Sequence, residues 1–121
     1  MEFRELMRYR SLKEEITDLE NRIKELNGEI ASIPKDFAAP ERLGTELAKC
    51  KDLLKKRKRQ SINELTRLER VIAQCDDPYI RCILRYRFCN GLSWTAVAKR
   101  LGNNSPDSCR MIAKRYLKRK K

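Results

Sequence analysis

The side chains best placed to do chemistry gather at the end of the chain. From residue 107 onward stand Arg110, Lys114, Arg115, Lys118, Arg119, Lys120 and Lys121, with Asp107 as the one acid. Such a set suits a polyanion: ammonium and guanidinium groups neutralise phosphates and release their counterions. A guanidinium also carries a planar fork that can pair bidentately with the major-groove edge of guanine. On a helix, the spacing of Cys109, Ile112, Ala113, Tyr116 and Leu117 puts them on one inward side. Asp107, Ser108, Arg110, Met111 and Lys114 then face outward over the first two turns and form the candidate base-reading set. Arg110 suits guanine, Asp107 can accept from the cytosine amino group, Ser108 is permissive, and Met111 can touch a thymine methyl. Asp107 has a second reading, as an acid favoured at a helix N-terminus by the dipole. Ser93, Thr95, Arg115, Lys118, Arg119, Lys120 and Lys121 are the candidate phosphate contacts. The closing KRKK reads as a non-specific phosphate clamp or a plain charged end.

Three short helices must position these residues. Asp77-Pro78 offers an N-cap acceptor followed by proline at the first helical position, predicting a helix over 78–89. Ile80, Ile83, Leu84 and Phe88 mark its inner face, and Asn90-Gly91 ends it. Ser93 caps the next helix, SWTAVAKRL, with Leu92 and Val97 spaced as a hydrophobic staple. Gly102-Asn103-Asn104 makes a turn, Ser105 caps the last helix and Pro106 opens it. Two short helices joined by a Gly-containing turn of about three residues predict a helix-turn-helix, with the helix over 105–119 in the major groove. Trp94 reads as a packing residue, not as a platform for bases. Arg81, Arg85 and Arg87 have two readings: contacts to DNA, or cations that solvate a helix face or pair with Asp76 and Asp77.

The expected class is all-α: a long N-terminal helical hairpin of coiled-coil type over 1–75, then the helix-turn-helix module over 76–121. Tyr9, Leu12, Ile16, Leu19, Ile23, Leu26, Ile30 and Ile33 follow alternating spacings of three and four, the seam of a coiled coil. Pro34 stops that helix, and residues 34–44, with two prolines and a glycine, read as a loop. A second helix is expected from about Thr45 to Cys75, with the stripe Leu47, Cys50, Leu54, Ile62, Leu65, Leu68 and Ile72. Its rhythm slips between Leu54 and Leu65, where KKRKR (55–59) falls. That run reads as a solvated face or as a second phosphate-contacting patch. The hairpin can close within one chain or pair between chains. A module of some 46 residues has a thin core, so Leu65, Leu68 and Ile72 are expected to pack beneath it.

Charge follows the same division. The chain of 121 residues holds 29 Lys and Arg against 17 Asp and Glu, a net +12. Residues 1–42 carry 8 basic and 10 acidic groups, residues 43–75 carry 9 and 4, and residues 76–121 carry 12 and 3. The polyanion surface therefore belongs mainly to the last third. No uninterrupted apolar run reaches about 18 residues, so no membrane span is expected. The start, MEFRELMRYRSLKEE, has no apolar stretch of the signal-peptide kind. Five cysteines without close pairs, and no histidine, argue for a reducing compartment and against a disulfide framework or a zinc site. Cys75, Cys82 and Cys89, seven apart, read as small buried apolar residues. With no Gly-rich phosphate loop, CxxC pair or nucleophile elbow, no enzyme and no cofactor are expected.

The stretch ILRYRFCNGLSWTAVAKRLGNNSPDSCRMIAKRYLKR (83–119) resembles region 4 of sigma-70-type factors. The matching positions are Leu84, Arg87, Gly91, Leu92, Val97, Ala98, Leu101, Gly102, Ser105, Cys109, Ile112 and Leu117. A coiled coil followed by DP…GLSW…A..LG is similar in layout to small phage regulators of the RinA and ArpU type, which carry a sigma-like helix-turn-helix. The turn here is one residue longer, and Pro106 and Ser108 replace charged or DNA-reading residues, so the promoter preference of sigma factors does not carry over. The residues predict a protein that binds duplex DNA in a sequence-specific way. The resemblance implies a phage or prophage transcriptional regulator in the cytoplasm of a bacterial host. Its hairpin would form a homodimer or contact RNA polymerase. Two other readings stay open: the small subunit of a phage DNA-packaging terminase, and a coiled-coil interaction protein whose basic end binds RNA or another acidic partner.

Overall fold

A computed structural model describes residues 3–102 and 105–119. It is all-helical, with no strand among the described residues. In chain order the elements are α1 (Phe3–Leu6), α2 (Arg8–Ala31), α3 (Glu41–Ala73), α4 (Pro78–Leu84), a π-helical turn (Arg85–Cys89), α5 (Trp94–Arg100) and α6 (Pro106–Arg119). The chain divides into two compact units: Met1–Ser11 with Asn63–Lys121, and Leu12–Ile62.

In the unit of residues 12–62, α2 and α3 contact each other with opposite polarity. Arg22 reaches Glu46 at 2.7 Å, while Arg57 reaches Glu15 at 2.7 Å. Leu26, Leu43 and Cys50 are buried between them, flanked by Ile23, Ile30, Ile33 and Leu47. Of the seam inferred from spacing, Ile23, Leu26, Ile30 and Ile33 belong to this cluster, whereas Tyr9 packs against the core of the other unit. Where the stripe slips, Arg57 lies half-buried with both Glu15 oxygens within 2.9 Å, and buried Ser61 donates its hydroxyl to the Lys58 carbonyl at 2.8 Å. The gap in apolar rhythm is filled by polar groups that satisfy one another.

The loop expected over 34–44 is shorter, because α3 begins at Glu41 rather than Thr45. Leu43 N–H bonds the Pro40 carbonyl at 3.0 Å, and Glu41 sits where the dipole favours an acid. Leu43 is 4% exposed, so burial of its side chain draws this first turn into the helix despite Gly44.

The other unit is built around Leu68, Ile72, Ile83, Leu84, Phe88, Val97, Ala98, Cys109, Ala113 and Leu117, with Leu6 from the N-terminal segment. Leu68 and Ile72 thus pack beneath the C-terminal helices. Leu65 is half-buried outside that cluster. The Phe3 ring packs tilted at 5.6 Å from Phe88 and 5.7 Å from Trp94, so the N-terminal turn thickens a core that 46 residues alone would leave thin.

Candidate nucleic-acid interface

Three capped helices present the candidate residues. The Asp77 carboxylate accepts from Tyr79 N–H at 2.9 Å and starts α4. The helix expected to run unbroken over 78–89 widens after Leu84 into a π turn. There Asn90 N–H bonds the Arg85 carbonyl at 3.0 Å and Leu92 N–H bonds the Tyr86 carbonyl at 3.0 Å. Gly91, at φ +73°, reverses the chain. The Ser93 hydroxyl then accepts from Ala96 N–H at 3.2 Å, opening α5. Gly102, at φ +71°, ends α5, and the Ser105 hydroxyl accepts from Ser108 N–H at 3.1 Å to open α6.

On α6, Cys109, Ala113 and Leu117 are buried, and Ile112 and Tyr116 are half-buried against the same core. At about 100° per residue, the stripe opposite them holds Asp107, Met111, Lys114 and Lys118, all four exposed. Ser108 and Arg110 sit on opposite shoulders about 160° apart, each half-buried. The base-reading set therefore contains three outermost residues and two flanking ones that face different ways. Arg115 and Arg119 are exposed on the Ser108 shoulder. Arg110 lies 3.8 Å from Asp107, a loose surface pair with Asp107 89% exposed, which leaves both groups available. Ser93 and Thr95 are exposed at the start of α5. Lys120 and Lys121 lie outside the described residues, as do Asn103 and Asn104 of the turn.

The arginines with two readings are all engaged inside the protein, but with neither Asp76 nor Asp77. Arg81 donates to the Cys75 carbonyl at 2.9 Å, and Arg85 meets both Glu69 oxygens at 2.8 and 3.0 Å. Arg87 donates to the Leu92 carbonyl at 2.9 Å while its guanidinium lies 5.1 Å from the Trp94 ring centre. Trp94 itself packs edge-on to Phe88 at 6.3 Å. Arg87 and Trp94 together hold the loop 90–93 against the π turn.

Two exposed cations outside the sequence-derived set stand on the last turn of α5: Lys99 and Arg100, the latter 4.8 Å from the Tyr86 ring centre. Adjacent basic residues at the end of the helix before the turn were the signal for them. Elsewhere the electrostatics are structural. Glu69 holds the Arg85 guanidinium above its ordinary value through their hydrogen bond. Burial, then the charge of Glu69, pushes the Cys89 thiol up. Burial, helped by a hydrogen bond with Cys75, pushes the Tyr116 phenol up to about 12. Among the described residues no cluster of three or more Cys, Asp or Glu could hold a metal ion, and no helix is long and apolar enough to cross a membrane. Comparison with protein-family models, curated proteins and solved structures finds no match to this chain.

Proposed function

We propose that this chain binds duplex DNA in a sequence-specific way, with α6 as the recognition helix of a helix-turn-helix formed with α5. The observation that carries the reading is the division of α6. One side is core, whereas the other exposes Met111, Lys114, Arg115, Lys118 and Arg119 with Asp107 as its one acid. A helix that only capped the core would not need so one-sided a cationic face. Asp107, Met111 and Lys114 lie outermost toward the bases, with Ser108 and Arg110 at the edges of the reading face. Ser93, Thr95, Arg115, Lys118 and Arg119 serve the phosphates.

In this reading α2 and α3 form a coiled-coil hairpin, the opposite-polarity pairs Arg22–Glu46 and Arg57–Glu15 setting its register. The resemblance to sigma region 4 and to RinA- and ArpU-type regulators favours a phage or prophage transcriptional regulator acting in a bacterial cytoplasm without catalysis of its own. The hairpin would then serve to dimerise or to touch RNA polymerase. The deciding experiment is selection of bound sites from a random DNA pool, followed by binding across a range of salt. A recovered consensus, with affinity falling steeply as salt rises, is the expected result. Recovery of no consensus refutes sequence-specific reading. A ring of eight or so subunits in solution would instead point to a DNA-packaging subunit.

A further inference from the structure

Charge on α3 is segregated rather than mixed. Residues 49–59 contain seven Lys and Arg against Asp52 alone, over about 16 Å of helix. Two of the seven are taken up within the unit of residues 12–62. Arg57 is held by Glu15 at 2.7 Å, and Lys58 lies 3.9 Å from Glu20. The other five, Lys49, Lys51, Lys55, Lys56 and Arg59, are exposed, and none of them forms an ion pair among the described residues. Lys51, Lys55 and Arg59 follow at i, i+4 and i+8, about 6 Å apart along one ridge. Lys56 stands beside them. The ridge lies opposite the face that buries Leu43 and Cys50.

Like charges four apart oppose helix formation, and acids interspersed at those positions would have solvated the face without that cost. A second copy of this chain is a poor occupant. On α2 the exposed charges outside ion pairs are Arg8, Lys13, Lys24, Glu14 and Asp18, three cations against two acids, so that helix offers no negative face. Its other acids Glu15, Glu20, Glu25 and Glu29 already face Arg57, Lys58 and Arg22. The row therefore calls for an external polyanion. Regular spacing along the ridge fits the repeating charge of a phosphate backbone, which needs no side-chain fit.

We infer that the ridge of Lys51, Lys55, Lys56 and Arg59 is a second, sequence-independent contact for the phosphate backbone of duplex DNA. This rests on the reading of α6 as the DNA-binding helix, and the ridge adds to affinity but not to sequence choice. The test measures binding of the full chain to a selected site and to a scrambled duplex across a range of salt. Lys55→Ala, Lys56→Ala and Arg59→Ala combined should lower the slope of log affinity against log salt by about 0.9 for each phosphate no longer neutralised. The fall should be equal on both duplexes. Lys55→Gln, Lys56→Gln and Arg59→Gln, which leave long polar side chains in place, should reproduce it. Lys13→Ala with Lys24→Ala, the same kind of charge removal on α2, should leave the slope unchanged. Helical circular dichroism reports that each variant is folded. An unchanged slope in the ridge variants, while Lys114→Ala with Lys118→Ala lowers it, overturns the ridge and leaves the α6 reading standing. Loss of affinity for RNA but not for duplex DNA also overturns it. If the unsubstituted chain binds no duplex, the α6 reading fails and the ridge with it.

Discussion

Replacing Gly91 by alanine should destabilise the C-terminal unit about twice as much as the same change at Gly102, and the excess should depend on Arg10. Both glycines adopt left-handed backbone, at φ +73° and +71°. A Cβ there costs about 1–2 kcal/mol, partly offset by the about 0.4–1 kcal/mol that alanine removes from the unfolded chain's entropy. Around Gly102 the added atom meets nothing within 4 Å, so its net cost should be about 1 kcal/mol. At Gly91 the Cβ would lie 2.5 Å from Arg10 Nε and Cζ. The guanidinium must move away, and it gives up its 3.3 Å hydrogen bond to the Cys89 carbonyl. That bond is long and partly exposed, so its loss adds only about 1 kcal/mol.

Urea unfolding followed by circular dichroism measures both variants in two backgrounds. Gly91→Ala should cost about 2 kcal/mol in the native background and about 1 kcal/mol once Arg10 is alanine, while Gly102→Ala should cost about 1 kcal/mol in both. Equal costs for Gly91→Ala with and without Arg10 would refute the claim that this side chain closes over the turn. A Gly91→Ala variant no less stable than the parent would refute the left-handed turn itself.

Other consequences can be checked with the same protein. Arg110→Ala should lower affinity for the selected site by about 1–3 kcal/mol if the guanidinium reads a base. An equal loss on all sequences would make it a phosphate contact. Phe88→Ala, which empties a site 1% exposed between Phe3 and Trp94, should cost about 3–5 kcal/mol in urea unfolding. Tyr116 should make stability fall at high pH. Its phenol ionises near the ordinary 10.0 in the unfolded chain but only at about 12 when folded, so the folded state keeps its proton longer. The contribution is complete below pH 10 and is lost as pH climbs through about 12. Tyr116→Phe should remove that part of the pH dependence, and an unchanged slope would show that burial of the phenol is not its source.

Much of the local structure was legible because it rests on neighbours in sequence. Asp77, Ser93 and Ser105 cap through bonds that span two or three residues. The inward and outward faces of α6 follow from the spacing of Cys109, Ile112, Ala113, Tyr116 and Leu117. What escaped depends on distant partners. Phe3 and Leu6 lie in a stretch that reads as charged, and only Phe88, Trp94 and Ile72 reveal them as core. The first turn of α3 forms because Leu43 is buried against α2, which outweighs Gly44. The π turn has no local signature: Tyr86 and Phe88 fit an α-helix equally well, and the wider spacing appears only in the bonds from Asn90 and Leu92. For the arginines, residue type announced a charge but gave no partner.

That last distinction changes what the charge of the chain means. Net charge over 76–121 treats its 12 basic residues alike, yet Arg81, Arg85 and Arg87 are bound to Cys75, Glu69 and Leu92 and hold the scaffold together. Removing them should unfold the loop before it weakens any contact with a ligand. The cations left exposed, Lys99 and Arg100 on α5 and Lys114, Arg115, Lys118 and Arg119 on α6, mostly occupy the later turns of their helices. Helix C-termini favour positive charge through the dipole, so these groups sit there at little cost to the free protein. The early turns of α6 carry Asp107, Ser108, Arg110 and Met111 instead, mixed in charge and varied in shape. Under the proposed function, affinity and selectivity then fall mainly to different turns of one helix. Substitutions late in α6 should weaken binding on every sequence alike, and those early in α6 should change which sequence is preferred.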